Sequence, residues 1–116
     1  MSTLELPILQ KVAEFYKLFH SYSEKFPKKD RFTLGQRCEN HILILLEELI
    51  RVSKVSKPQK ALLLFEVSIQ LDTLKILVRL LKELKVLDLK QYTCLEEQVF
   101  EIGKMLGGWI KSTKDV

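Results

Sequence analysis

The fold is decided by the stretch KPQKALLLFEVSIQLDTLKILVRLLKEL, residues 57 to 84, which has apolar residues at two sets of helical positions. The first set advances in steps of three and four, as the core-facing seam of a bundle helix does. It contains Leu63, Val67, Leu71, Leu74, Val78 and Leu81. The second set contains Leu62, Phe65, Ile69, Ile76 and Leu80. The stretch therefore predicts one long helix, roughly from Lys57 to Leu84, with more apolar surface than one seam needs.

The second apolar set has two interpretations. Either the helix is pushed deep into its own core, or one set faces the core and the other packs on a second copy of the chain. A four-helix domain of 116 residues leaves little room for the first arrangement. Large exposed apolar patches usually mark interfaces. We therefore expect the second set to be an oligomer interface, although the two sets could exchange roles.

Three further segments show the periodicity of bundle helices. They are expected at roughly residues 6–25, 32–54 and 89–111. Their seams are Ile8, Val12, Phe15, Phe19, Tyr22 and Phe26; Cys38, Ile42, Leu45, Leu49 and Val52; and Tyr92, Leu95, Val99, Ile102, Leu106 and Trp109. Ser56 with Gln59 and Asp88 with Gln91 have the spacing of capping boxes. No segment alternates with period two for long, so no sheet is expected.

The connections between these segments are short, which forces neighbouring helices to run antiparallel. The sequence therefore predicts an all-α protein, an up-down-up-down antiparallel four-helix bundle. We expect a single domain over residues 1–116, because the chain has no repeat, no low-complexity tract and no second core.

Composition limits the class of protein. The chain is 47% apolar and 29% charged, which suits a folded domain, and its net charge of +4 permits an anionic partner without requiring one. The longest apolar run, ILILL, has five residues, against the roughly 20 that span a bilayer. The start, MSTLELPILQK, lacks the pattern of a signal peptide. We expect a cytoplasmic protein with reduced cysteines and no membrane partner.

Residues for catalysis or metal binding are not evident in the sequence. His20 and His41 are the only histidines, and neither has an obvious set of cysteine or carboxylate partners. The glutamates lack the Glu-x-x-His pairing of di-iron bundles, and the glycines lack phosphate-loop spacing. We expect no catalytic residue, no metal, no cofactor and no enzymatic activity.

Glycines stand inside the last predicted helix, where each costs about 1 kcal/mol relative to alanine. Gly103 and Gly107 are four residues apart and share one face. Small residues at this spacing let another backbone approach closely, so we expect a close helix contact at these two positions. The pair Gly107–Gly108 has an alternative role, which is to bend or end the helix before Trp109.

Basic residues form two groups of interest. Lys28, Lys29, Arg31 and Arg37, with Lys25, surround the first predicted turn. Lys75, Arg79 and Lys82 form a ladder on the polar face of the third helix. A solvated surface is the ordinary role of such charges. If copies of the chain form a ring, however, a weak field from each subunit is multiplied. We therefore predict that these residues other than Lys25, seven in all, bind nucleic acid, mainly through phosphates.

Two motifs resemble a known family. KFPKKDRFTLGQRCEN, residues 25–40, followed by EIGKMLGGWIK, residues 101–111, resembles the accessory variability determinant (Avd) family of bacterial diversity-generating retroelements. The order and spacing of the pieces match over nearly the whole chain. The resemblance implies a four-helix bundle that assembles into a homopentameric barrel. It also implies a basic surface that binds RNA or DNA and the element's reverse transcriptase, in support of mutagenic retrohoming.

An alternative remains open. The chain is then a scaffold or protein-interaction bundle without direct nucleic-acid binding, a class that includes the four-helix proteins encoded in intervening sequences of ribosomal RNA genes. A neighbouring reverse-transcriptase gene with a pair of near-identical repeats distinguishes the two hypotheses.

Overall fold

Four helices make up the computed structural model, which describes residues 6–114. Two predictions extend outside this range. They are the domain limits, 1 and 116, and the first five residues of the segment that lacks a signal-peptide pattern. The helices are α1 (Pro7–Ser23), α2 (Lys28–Asp30, then the π-helical turn Arg31–Gly35, then Gln36–Lys54), α3 (Lys57–Glu83) and α4 (Leu89–Lys114).

The helices pack as an antiparallel bundle in which each helix contacts its neighbours in sequence and α4 closes against α1. The bundle measures 48 × 21 × 20 Å along its principal axes. The predicted seams of α1, α2 and α4 supply the core, with Tyr22, Tyr92 and Trp109 half-buried at its edge. The expectation of an all-α four-helix bundle is confirmed.

The core seam of α3 differs from the prediction at one position. Leu64 is buried, whereas Leu63 is half-buried at the border of the core. The observed seam steps evenly by three and four from Leu64 through Val67 to Leu81. In the run Leu62–Leu63–Leu64 every residue is apolar, so composition could not identify the one that faces inward; packing of the other helices decides it.

Helix ends confirm one capping box and correct another. At the start of α4, the Gln91 backbone N–H donates to Asp88 Oδ1 at 2.7 Å, and the Asp88 N–H donates to Gln91 Oε1 at 3.0 Å. Ser56 occupies the N-cap position of α3, but its side chain makes no capping hydrogen bond. Pro58 in the first turn of α3 lacks an N–H, which reduces the number of donors that a cap has to satisfy.

The second helix starts earlier than predicted, at Lys28 instead of about residue 32, because RFTLG continues the helix as a π-helical turn. Gly35 is buried in this turn. A Cβ at residue 35 lies 2.9 Å from the Asp30 carbonyl oxygen and 3.0 Å from Phe26 Cδ2. Real Cβ atoms essentially never come as close as the first of these distances, so the turn packs against Phe26 only because residue 35 is glycine.

The prediction of a close helix contact at Gly103 and Gly107 is wrong within the chain. A Cβ at Gly103 meets Leu71 Cδ2 at an ordinary 3.7 Å, and one at Gly107 meets nothing within 4 Å. The glycine face of α4 borders the core without being crossed by another backbone. Gly107–Gly108 does not end the helix either, because α4 continues to Lys114.

The turn between α3 and α4 needs the left-handed backbone conformation that favours glycine, yet Lys85 occupies it, with φ at 63°. The Val86 N–H donates to the Leu81 carbonyl at 2.9 Å and closes this turn. Backbone hydrogen bonding therefore holds a strained lysine at the end of α3.

Alanine substitution should separate the packed glycine from the open ones. We expect Gly35→Ala to lower the free energy of unfolding by about 1–3 kcal/mol, because the methyl group meets a carbonyl oxygen that cannot move cheaply. Gly107→Ala should raise it by about 1 kcal/mol, as alanine does in an open helix position. Chemical denaturation followed by circular dichroism measures both, with Gly108→Ala as a second open control. Equal stabilisation by all three substitutions would show that the π-helical turn accommodates a methyl group at residue 35.

Candidate nucleic-acid and assembly surfaces

The net charge of the chain is concentrated in one segment. Residues 25–37, here called the basic segment, contain five lysines and arginines and a single acidic residue, a net +4. The chain has nineteen basic and fifteen acidic residues, also a net +4. The rest of the chain thus carries fourteen of each sign and is neutral. Any long-range positive field therefore originates from the basic segment.

The basic segment joins α1 to α2 at one end of the bundle. Its five cations, Lys25, Lys28, Lys29, Arg31 and Arg37, are all exposed. Between residues 6 and 114, none of the five has a carboxylate oxygen within 4.0 Å of its charged nitrogens. Asp30 lies among them without forming an ion pair. These side chains are therefore open to an external anion.

An exposed aromatic ring stands inside the basic segment. Phe32 is 59% exposed, and the Arg31 guanidinium carbon lies 5.7 Å from the centre of its ring. The sequence analysis did not select Phe32, because it lies outside the seam of α2. A signal was nevertheless present, since an aromatic residue among lysines and arginines is typical of nucleic-acid surfaces.

The predicted ladder on α3 has partners within the chain. Lys75 pairs with Asp72 at 3.6 Å, and Lys82 Nζ lies 4.8 Å from the ring centre of Tyr92 on α4. The Tyr92 hydroxyl donates to Glu96 at 2.9 Å. This hydrogen bond raises the pKa of Tyr92, and Arg79 beside the same hydroxyl opposes the rise without cancelling it. The ladder residues thus help to join α3 to α4.

The groove beside the ladder has no excess of positive charge. It has a volume of about 450 Å³ and lies between α3 and α4. Its charged lining residues are Lys75, Arg79, Glu96, Glu97 and Glu101. Three carboxylates thus oppose two cations, so the surface around the ladder attracts phosphate less than the basic segment does.

The second apolar set of α3 points away from the core. Its five residues, here called the α3 seam, are each between 39% and 65% exposed: Leu62, Phe65, Ile69, Ile76 and Leu80. At 100° per residue they lie opposite the buried positions of the same helix. Within the chain, the structure thus distinguishes the core-facing set from the outward-facing set, whose roles the sequence left interchangeable. That the α3 seam is a subunit interface stays a prediction.

The two histidines join helices. His20 Nδ1 on α1 lies 2.7 Å from Glu39 Oε1 on α2, a carboxylate partner that the sequence analysis missed. His41 Nε2 donates to the Gln70 carbonyl on α3 at 2.7 Å. Residues 19 and 29 positions apart meet in these contacts, so no local spacing rule could have found them. Across residues 6–114, no three His, Cys, Asp or Glu side chains gather into a possible metal site.

In a comparison with protein families, a model described as bAvd-like matches residues 6–113, which include α1, α2, α3, all of α4 except its last residue, and the basic segment. The chain belongs to the bAvd-like family. A comparison with curated proteins gives no match. The bAvd-like family is of an accessory, non-catalytic type. No helix in the described part of this bAvd-like chain is long and apolar enough to cross a membrane.

The buried cysteine of this bAvd-like bundle is chemically inert. Cys38 is fully enclosed in the core, and burial, with a smaller effect from Glu39, raises the pKa of its thiol to about 12 from an ordinary 9.0. Only the thiolate is a good nucleophile. Cys38 therefore acts as a small core residue, while Cys94 is half-buried.

Alkylation should distinguish the two thiols. At pH 8 the thiolate fraction of Cys38 is about a thousandfold below that of a free cysteine, since its pKa is about three units higher. We expect iodoacetamide to label the folded protein once, at Cys94, and the denatured protein twice, as read by intact mass and peptide mapping. The reaction at Cys38 should stay slow until the pH approaches 12. Labelling of both thiols at one rate in the folded protein would contradict the described core.

Proposed function

We propose that the chain is a cytoplasmic accessory protein of a bacterial diversity-generating retroelement. In this role it binds RNA or DNA and the element's reverse transcriptase, and so supports mutagenic retrohoming. Membership of the bAvd-like family supports the accessory role. The reverse transcriptase supplies the polymerase chemistry, and this chain supplies binding.

One observation carries the nucleic-acid part of the proposal: the whole net charge lies in the basic segment, on side chains that have no ion-pair partner among the described residues 6–114. Lysines and arginines in such a surface bind phosphates and release counterions. Binding of this kind depends strongly on salt and little on sequence. The basic segment rather than the ladder is therefore the principal phosphate contact.

Assembly is the second part of the proposal. The α3 seam runs along one face of α3, a helix of 27 residues, and is exposed in a single chain. Burying one large apolar side chain contributes about 1.5–3 kcal/mol. Five such residues therefore strongly favour association. We propose that copies of the chain join through the α3 seam into a closed ring, a pentamer as the resemblance implies.

A scaffold function without nucleic acid is the second candidate. The α3 seam supports it as well, because the same apolar face suits a protein partner. A genome in which no reverse transcriptase and no pair of near-identical repeats accompany the gene favours this alternative.

Matched charge removal tests the nucleic-acid surface. The triple variant Lys28→Gln/Lys29→Gln/Arg31→Gln should weaken binding to mixed-sequence RNA and flatten the plot of log K against log salt by about 2, at roughly 0.7 per single-strand phosphate contact. The ladder variant Lys75→Gln/Arg79→Gln/Lys82→Gln removes the same number of charges and should have a smaller effect. Fluorescence anisotropy at several salt concentrations measures both.

Equal losses in the two triple variants would mean that binding follows total charge and not the basic segment. If the unaltered protein does not bind RNA or DNA even at low salt, the nucleic-acid function fails and the scaffold function leads. Glutamine retains helix propensity, so circular dichroism should be unchanged in both variants.

Charged substitutions test the assembly. Ile69→Glu/Ile76→Glu should yield smaller species than the unaltered protein and keep the helical circular dichroism spectrum, because both residues are exposed in the single chain. Light scattering coupled to size exclusion gives the masses. Leu84→Glu/Leu89→Glu is the matched control, since it adds equal charge at exposed leucines outside the α3 seam. A clean monomer of the unaltered protein at micromolar concentration would exclude the ring.

A further inference from the structure

We propose that Phe32 is a stacking platform for an unpaired base, so that the basic segment prefers single-stranded nucleic acid to duplex. This inference rests on the proposed nucleic-acid function and adds the class of ligand and the residue that selects it. It is carried by the position of an exposed ring among cations that form no ion pair within residues 6–114.

The ring is presented by an ordered turn. Phe32 is the second residue of the π-helical turn Arg31–Gly35, whose far end is fixed where Gly35 packs against Phe26. The Thr33 hydroxyl donates to the Lys29 carbonyl at 2.6 Å within the same turn. A ring held in this way loses little conformational freedom when a ligand stacks on it, which preserves affinity.

The surroundings of the ring select the ligand. Phe32 has 59% of its surface exposed, and a partner with a flat apolar face and nearby negative charge suits both the ring and its cations. A base attached to a phosphate backbone has both features. In a duplex each base is already stacked and paired, so its face cannot reach Phe32 without being extruded. An unpaired strand meets no such cost.

The chain contains a closely matched ring in different surroundings. Phe100 on α4 is 64% exposed, and Lys104 Nζ lies 5.8 Å from its ring centre, against 59% and 5.7 Å for Phe32 and Arg31. Phe100 borders the groove that contains Glu96, Glu97 and Glu101. Exposure and the distance to a neighbouring cation are therefore similar, whereas the local charge and the supporting backbone differ. Phe100→Ala is thus the control for Phe32→Ala.

The test uses the full chain and two labelled RNAs of the same mixed sequence, a single strand of about 12 nucleotides and its duplex. We expect Phe32→Ala to weaken single-strand binding by about fivefold to a hundredfold, as removal of one stacking residue does. Duplex affinity should be unchanged. Phe32→Trp should retain single-strand binding, and Phe100→Ala should match the unaltered protein. In a single strand that carries 2-aminopurine, binding should quench the fluorescence, and Phe32→Ala should abolish the quenching.

The outcomes separate this inference from the proposed function. If the unaltered protein binds neither RNA, the nucleic-acid function fails and the stacking role fails with it. If the unaltered protein binds and Phe32→Ala binds single strands equally well, or loses duplex affinity to the same degree, only the stacking role is overturned. A smaller mass for Phe32→Ala in light scattering would assign Phe32 to contact between copies of the chain and would also overturn it. Circular dichroism of each variant verifies the fold.

Discussion

The contact between Phe26 and Gly35 determines how the first two helices meet and what they present to solvent. Phe26 packs edge-on against Phe19 of α1, with ring centres 5.9 Å apart, and its other side meets the backbone at residue 35. Pro27 then disfavours helical geometry at Phe26, so the chain reverses within a few residues. Because the Phe26 ring and Gly35 occupy the inner side of this turn, its lysines and arginines all lie on the outer side. The position of the basic segment therefore follows from an apolar contact and not from the charges themselves.

Three separate groups of residues provide the core, an exposed apolar face and the positive charge of this small bundle. The buried seams provide the core, the α3 seam offers an apolar face opposite the core, and the basic segment places charge at one end. The ladder, whose predicted nucleic-acid binding stays a prediction, also contributes to the contact between α3 and α4 through Tyr92. An exposed cation that is paired with a carboxylate of the same chain contributes little to the stability of the fold. Such a pair also adds little to the electrostatic field outside the protein. The two basic groups that looked equivalent in sequence therefore differ in their contacts within the described residues.

Much of the fold follows from the sequence, because an apolar period of three and four is a local signal. The number of helices, three of the four seams and the capping box at Asp88 were predictable in this way. The choice between Leu63 and Leu64 was not, since three consecutive leucines satisfy the period in more than one register. The π-helical turn was missed because Phe32 and Leu34 read as the start of an ordinary helix. The sequence pattern predicts the glycine contact at Gly103 and Gly107, whereas the tight contact is at Gly35, with the Asp30 carbonyl oxygen and the Phe26 ring.

The separation of charge from the α3 seam determines how electrostatics change on association. Between residues 62 and 80 the chain carries two acidic and two basic residues, so the helix that bears the α3 seam is locally neutral. A chain with its net charge spread evenly would place like charges against each other wherever copies met. If copies join through the α3 seam, as proposed, no net charge is brought together there, while each added copy contributes another basic segment with its full +4. The positive field would then grow with the number of copies without a matching rise in repulsion at the interface, so a modest net charge per chain would suffice for the proposed phosphate binding.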